Sequence, residues 1–132
     1  MARRCLPPIG PPHDAGVYLA VFHLAGRRTI QVGRLGRFDF PAGFYFYVGS
    51  AQRNLPARLA RHARRRKPRR WHIDYLAAHA TMVGAWSWPA DRAMETELAR
   101  ALSERYATPA RGFGASDSPA RTHLFHGAVT DR

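Results

Sequence analysis

A chain of 132 residues, 45% of them hydrophobic, suits one compact domain with a real core. The net charge is +12 and 20 of the 21 basic residues are arginine, a balance that points to a polyanionic partner, nucleic acid first. Cys5 is the only cysteine, which excludes an intrachain disulfide and a cysteine-rich zinc site and fits a reducing compartment.

Residues 1–15 read as a flexible, proline-rich leader. The leader has arginines but no apolar core of a secretory signal, and no run of about 18 apolar residues follows anywhere. A cytoplasmic protein with no membrane partner is expected. "GVYLAVFHL" (16–24) is apolar on both alternating faces and predicts a central strand covered on both sides. "TIQV" (29–32) predicts a second strand, paired with the first as a hairpin through "GRR" (26–28). "GRLGRFDFPAG" (33–43) reads as an irregular link. "FYFYVG" (44–49) predicts a third strand with Tyr45 and Tyr47 on one face and Phe44, Phe46 and Val48 on the other.

A helix is expected from an N-cap at Asn54, with Pro56 in its first turn, to about Lys67, where Pro68 ends it. "WHIDYLAAHA" (71–80) predicts a second helix and "MVGAWSW" (82–88) a strand. Asp91 can cap a third helix running through Tyr106, and "THLFH" (122–126) reads as a closing edge strand before the tail, 127–132. The fold class is α/β of the α+β type, with strands and helices mixed in one domain and local hairpin pairing.

On the first helix, Leu55, Leu59 and Ala63 form an apolar stripe, with Arg58 and His62 along one edge. Arg61, Arg64 and Arg65 point elsewhere, toward solvent, and Arg53, Arg66, Lys67, Arg69 and Arg70 extend the basic run. No acidic residue lies between Asp39 and Asp74. Guanidinium forks suit phosphate better than lysine does. Taken alone, Arg58 is almost as readily half of a surface ion pair. On the third helix, Glu95 falls among Leu98, Ala99, Leu102 and Tyr106. A carboxylate in an apolar stripe needs a partner, an arginine or a metal alike. Tyr18 and Tyr47 sit in strands, where tyrosine most often simply packs.

Together these residues resemble the GIY-YIG endonucleases. "GVY" (16–18) and "YVG" (47–49) resemble the family's two signature triplets, which lie on neighbouring antiparallel strands. "NLPARLARH" (54–62) is similar to the segment that carries the family's helical arginine, and "METELA" (94–99) to the helix with its metal-binding glutamate. "VGRLGRFDFPAGFYFYVGSA", "WHIDYL" and "GFGASDSPARTHLFH" resemble the small, stand-alone Uri-type branch, so the likeness runs from Gly16 to His126. Departures exist. The gap between the triplets is longer than usual, one residue near Arg53 is inserted, and the asparagine of many repair nucleases has no counterpart. Ser118 and Ala120 stand where the branch commonly has cysteines, which excludes a thiolate metal site there.

The resemblance implies a GIY-YIG-like nuclease domain over 16–126: a small antiparallel sheet flanked by helices, with an extra hairpin strand and a C-terminal extension. It implies hydrolysis of DNA phosphodiesters, of structured or damaged DNA in particular, with one divalent ion, Mg²⁺ or Mn²⁺, on Glu95. Arg58 would contact the scissile phosphate. Tyr18 would act as general base, its pKa depressed by Arg58 or the metal, or would position the attacking water, and Tyr47 would orient water or phosphate. His62 would accept a proton or bind phosphate, and Gly49 and Ser50 would form a turn that lets backbone approach the substrate. Arg53, Arg61, Arg64, Arg65, Arg66, Lys67, Arg69 and Arg70 would bind the DNA backbone. Trp71 either stacks on a base or joins the core. His72, Asp74 and His123 either support the site or pack and cap. Two other functions stay open: an inactive nucleic-acid-binding module on the same scaffold, and a basic adaptor of RNA–protein assemblies. A monomer is favoured.

Overall fold

The computed structural model describes residues 14–115 and 122–127. The elements in chain order are β1 (Gly16–Leu24), β2 (Arg28–Val32), β3 (Gly36–Phe40), β4 (Gly43–Ala51), α1 (Leu55–Ala63), α2 (His72–Ala77), β5 (Thr81–Trp88), α3 (Arg92–Ser103) and β6 (Leu124–Gly127). β5, β1, β4 and β6 form an antiparallel sheet in that order. The mixed α+β class expected from the sequence is what the chain adopts. Among the described residues no helix is long and apolar enough to cross a membrane. The leader up to residue 13, Cys5, Ser118, Ala120 and residues 128–132 lie outside the described residues.

β1 is buried on both faces, as its continuous apolar run requires. Tyr18, Ala20 and Phe22 point to one side, where Tyr45 and Tyr47 of β4 join them under Leu55 and Leu59 of α1 and Ile73 and Leu76 of α2. Val17 points to the other side and meets Val48, Phe125 and Ala99 of α3. The alternation of tyrosines and phenylalanines along β4 is therefore as expected.

Four local expectations are corrected. β2 does not pair with β1; it pairs with β3 in a separate two-stranded sheet. Residues 36–40, read as link, are therefore strand: "GRFDF" alternates, and Phe40 is buried against Tyr45 at a ring-centroid distance of 5.8 Å. α1 is shorter than its pattern, because Arg64 is already extended, at φ −77° and ψ 133°. α3 ends at Ser103 rather than Tyr106, and Met94 and Tyr106 are exposed. Asn54 does stand at the N-cap of α1, but in the left-handed region, with φ 57°, and its side chain makes no cap. Asp14 does that work from upstream: its carboxylate accepts from Asn54 N–H at 3.0 Å and its carbonyl from Leu55 N–H at 3.0 Å.

Candidate active site

The two tyrosine-bearing triplets are neighbours. β1 and β4 pair so that Tyr18 faces Gly49 and Ala20 faces Tyr47. The Tyr18 ring lies across Gly49: a Cβ there would stand 2.4 Å from the phenol oxygen and 2.5 Å from Cζ. Gly49 and Ser50 are thus not a turn. Both lie within β4, and the glycine makes room for the tyrosine rather than for substrate backbone.

At this end of the sheet opens a cleft of about 500 Å³. Tyr18, Tyr47, Arg58 and Glu95 all line it, as do Gly49, Ser50, Arg53, Arg70 and His72. His62 sits behind Tyr18, 1% exposed, with Nε2 2.8 Å from the phenol oxygen. α1 turns His62 inward where Ala63 was expected, and Ala63 is exposed. Arg58 donates from Nη1 to the Ser50 carbonyl at 3.0 Å. The Ser50 hydroxyl donates to Glu95 Oε1 at 2.5 Å. Glu95 Oε2 lies 3.0 Å from Nδ1 of His123. The partners of Glu95 are therefore a hydroxyl and an imidazole, not an arginine. Nδ1 of His123 also approaches the Val48 carbonyl at 3.1 Å, so both neighbours are acceptors and this nitrogen carries the hydrogen.

Burial and charge set the protonation states. Desolvation pushes the Glu95 carboxyl up, but hydrogen bonds from His123 and Ser50 and the charge of Arg92 outweigh it and hold it below the usual range. Burial raises the Tyr18 phenol well above its ordinary value, and nearby Arg58 offsets only part of the rise. Burial likewise drives Tyr47 upward. Arg58 by itself therefore does not give Tyr18 the depressed pKa that a general base requires: burial outweighs it, and without a metal the phenol is neutral. Burial, with Lys67, Arg58 and Arg61 adding to it against Asp74, lowers His62 to about 3, so this imidazole is neutral. Its Nδ1 is buried without a hydrogen-bond partner. An orphaned N–H is the costlier choice, so the hydrogen belongs on Nε2, donated to Tyr18. The Tyr18 O–H is then free to donate into the cleft.

Trp71 and His72 of "WHID" also line the cleft. Asp74 is buried, and its carboxylate accepts from Arg61 Nη1 at 2.9 Å, from Arg70 N–H at 2.7 Å and from Trp71 N–H at 2.9 Å. Desolvation raises its pKa, and these donors reverse the shift and hold it below the usual carboxylate range. Guanidinium carbons of Arg61 and Arg58 lie 4.6 and 5.0 Å from the Trp71 ring centroid. Trp71 is thus a half-buried prop for Arg58 packed on the core. His72 accepts from Gly114 N–H on Nδ1 at 2.8 Å, and burial lowers its pKa.

The basic run divides. Arg53 and Arg70 line the cleft. Arg64, Arg65, Arg66 and Arg69 are exposed outside it. Arg61 does not point to solvent: its ion pair with Asp74 is 17% exposed on the arginine side, and it also donates to the Pro68 carbonyl. The Lys67 amine donates to the His62 and Arg64 carbonyls and so closes the end of α1. Sequence reasoning missed Arg92, Gln52 and Gly114 as cleft residues. Arg92 had a readable signal, since it precedes Glu95 by one helical turn.

The match with known proteins is at family level. No curated protein and no solved structure matches the chain. Over residues 17–132 the chain matches, and belongs to, the family described as Domain of unknown function DUF123.

Proposed function

We propose that this protein is a GIY-YIG-type, divalent-metal-dependent endonuclease acting on DNA. The observation that carries this reading is the convergence of Tyr18, Tyr47, Arg58 and Glu95, from four separate elements, on one cleft. Four guanidiniums, of Arg53, Arg58, Arg70 and Arg92, line that cleft beside one carboxylate. Such a lining favours a phosphate diester over a neutral substrate.

Glu95 fits a hard cation. Each carboxylate oxygen takes one hydrogen bond and keeps a lone pair, and the group is ionised. Among the described residues no cluster of three metal-ligating side chains occurs, so the fit is to Mg²⁺ or Mn²⁺ held by one carboxylate with its waters retained. A cation there supplies Lewis-acid charge for the leaving oxygen and acidifies a bound water. Arg58, propped on Trp71, places positive charge at the scissile phosphate. Tyr18 acts as a neutral phenol: it takes a hydrogen bond from His62 and gives its own to the attacking water or a phosphate oxygen. Tyr47 lines the same wall.

A non-cleaving nucleic-acid-binding module is the second reading, favoured by the burial that keeps both Tyr18 and His62 neutral. A cleavage screen over branched, single-stranded and duplex DNA with Mg²⁺ or Mn²⁺, in parallel with Glu95→Gln, tests the choice. Metal-dependent nicking by the wild type and none by Glu95→Gln is expected. No cleavage of any substrate, or equal cleavage by both proteins, overturns the nuclease reading.

A further inference from the structure

Trp86 and Trp88 are 47% and 42% exposed, although burying an indole is among the larger gains open to a small domain. Both stand on β5, an edge strand, and their spacing of two puts both side chains on one face of the sheet. That face is the one α3 packs on, since the ladder partners of Trp86 and Trp88 are Leu19 and Val17. Val17 is fully buried under α3, but Leu19 is only half-buried, so the cover stops short of β5. The Trp86 ring is seated along its own strand: a Cβ on Gly84 would meet Cη2 and Cζ3 of the indole at 3.4 and 3.5 Å. Seated so, the ring rests by its six-membered edge on Gly84 and remains about half open to solvent.

A rise of about 3.3 Å per residue sets the two points of attachment to the strand roughly 6.6 Å apart. That is about twice the 3.4 Å step of stacked duplex bases. It suits an unstacked, extended strand, whose bases have free faces. Four residues beyond Trp88 the chain reaches Arg92, in the first turn of α3 and on the rim of the cleft. The chain carries +12 overall, which attracts a polyanion and repels a second copy of itself.

We propose that Trp86 and Trp88 form a stacking site for unpaired bases of a single-stranded DNA segment that continues past Arg92 into the cleft. This rests on the nuclease reading and narrows its substrate to DNA with an unpaired arm. Aromatic platforms beside basic grooves bind single strands in this way without reading sequence.

The test is fluorescence anisotropy of labelled oligo-dT and of a duplex of equal length, in EDTA, with the full chain. Wild type is compared with Trp86→Ala/Trp88→Ala and with Trp86→Tyr/Trp88→Tyr. Both positions are exposed, so the variants should melt like the wild type. The alanine pair should bind oligo-dT at least about tenfold more weakly and the duplex less than about twofold more weakly, with the salt slope unchanged. The tyrosine pair should recover most of the loss. Equal loss on both DNAs, or no loss, overturns the proposal. So does a Trp-dependent preference for oligo-U, which gives the site to RNA. A change in sedimentation of the alanine pair gives it to a second copy. The assay needs no cleavage, so failure of the nuclease reading would not imitate failure here.

Discussion

Acid titration of His62 is a direct measurement of how dry the back of the site is. The imidazole is neutral when folded, held at about 3 by burial and three neighbouring cations against Asp74, while an unfolded chain takes up the proton near 6.5. Above 6.5 neither state is protonated and the group contributes no pH dependence. Below 6.5 the unfolded chain binds a proton that the folded chain refuses, so stability falls as pH falls, by about 1.4 kcal/mol per unit. From pH 6.5 to 5 the loss is about 2 kcal/mol, or roughly 1 M in the urea midpoint. His72 and His79 are also held low by burial and add to the slope. The depressed carboxyls Asp74 and Glu95 act in a lower window: their contribution is complete only above their ordinary values, 3.8 and 4.5, and is lost as pH falls through their folded values. Urea titrations of wild type and His62→Gln at several pH values between 7 and 5 isolate the histidine. The variant should be the less pH-sensitive of the two by about 2 kcal/mol across the window. Parallel curves would show that His62 protonates in the folded protein, and the tautomer and the free Tyr18 hydroxyl argued above would fall with it.

Glu95→Gln should unfold only about 1–2 kcal/mol more easily in metal-free buffer, because its partners are Ser50 and His123 and no buried arginine is stranded; a loss of 3–5 kcal/mol in thermal melts would mean a buried ion pair after all. Tyr18→Phe should keep fold and DNA affinity while lowering the cleavage rate roughly 10²-fold, and full activity would remove the hydroxyl from the mechanism. Asp74→Asn should cost about 3 kcal/mol in denaturant titrations, since it strands Arg61 and frees the start of α2. Replacing Arg64, Arg65 and Arg66 by alanine should weaken binding to all duplexes alike and flatten the log–log salt slope by roughly 2–3 units; an unchanged slope moves the backbone contact to Arg53, Arg70 and Arg92.

What could be read in advance was what period and composition control. β1 declared itself by an apolar run with no polar face, and Glu95 by standing where a helix should be apolar. The face alternation of β4 placed both tyrosines on the α1 side. What escaped was set by contacts distant in sequence. Nothing local says that β2 prefers β3 to β1, because β1 is already saturated by β4 and β5. The cap of α1 comes from Asp14, forty residues upstream. Periodicity gives Arg61 and Arg65 the same claim to solvent. Only the buried Asp74, on a different helix, separates them. Trp86 and Trp88 read as ordinary strand residues because the reach of α3 across the sheet is not written in either segment.

The close approach of Tyr18 to Gly49 has a consequence for how this sequence can change. An alanine at 49 collides with Cζ as well as with the hydroxyl, so Phe at 18 gives no relief. The ring is walled in by Tyr47 at 6.3 Å and His62 at 5.5 Å between centroids and has little room to swing aside. Two letters on different strands thus share one volume, and substitutions there have an order. Position 18 must lose its ring before position 49 can gain a side chain. A chain taking the steps in that order discards the phenol first, so any descendant with a side chain at 49 has already lost the hydroxyl.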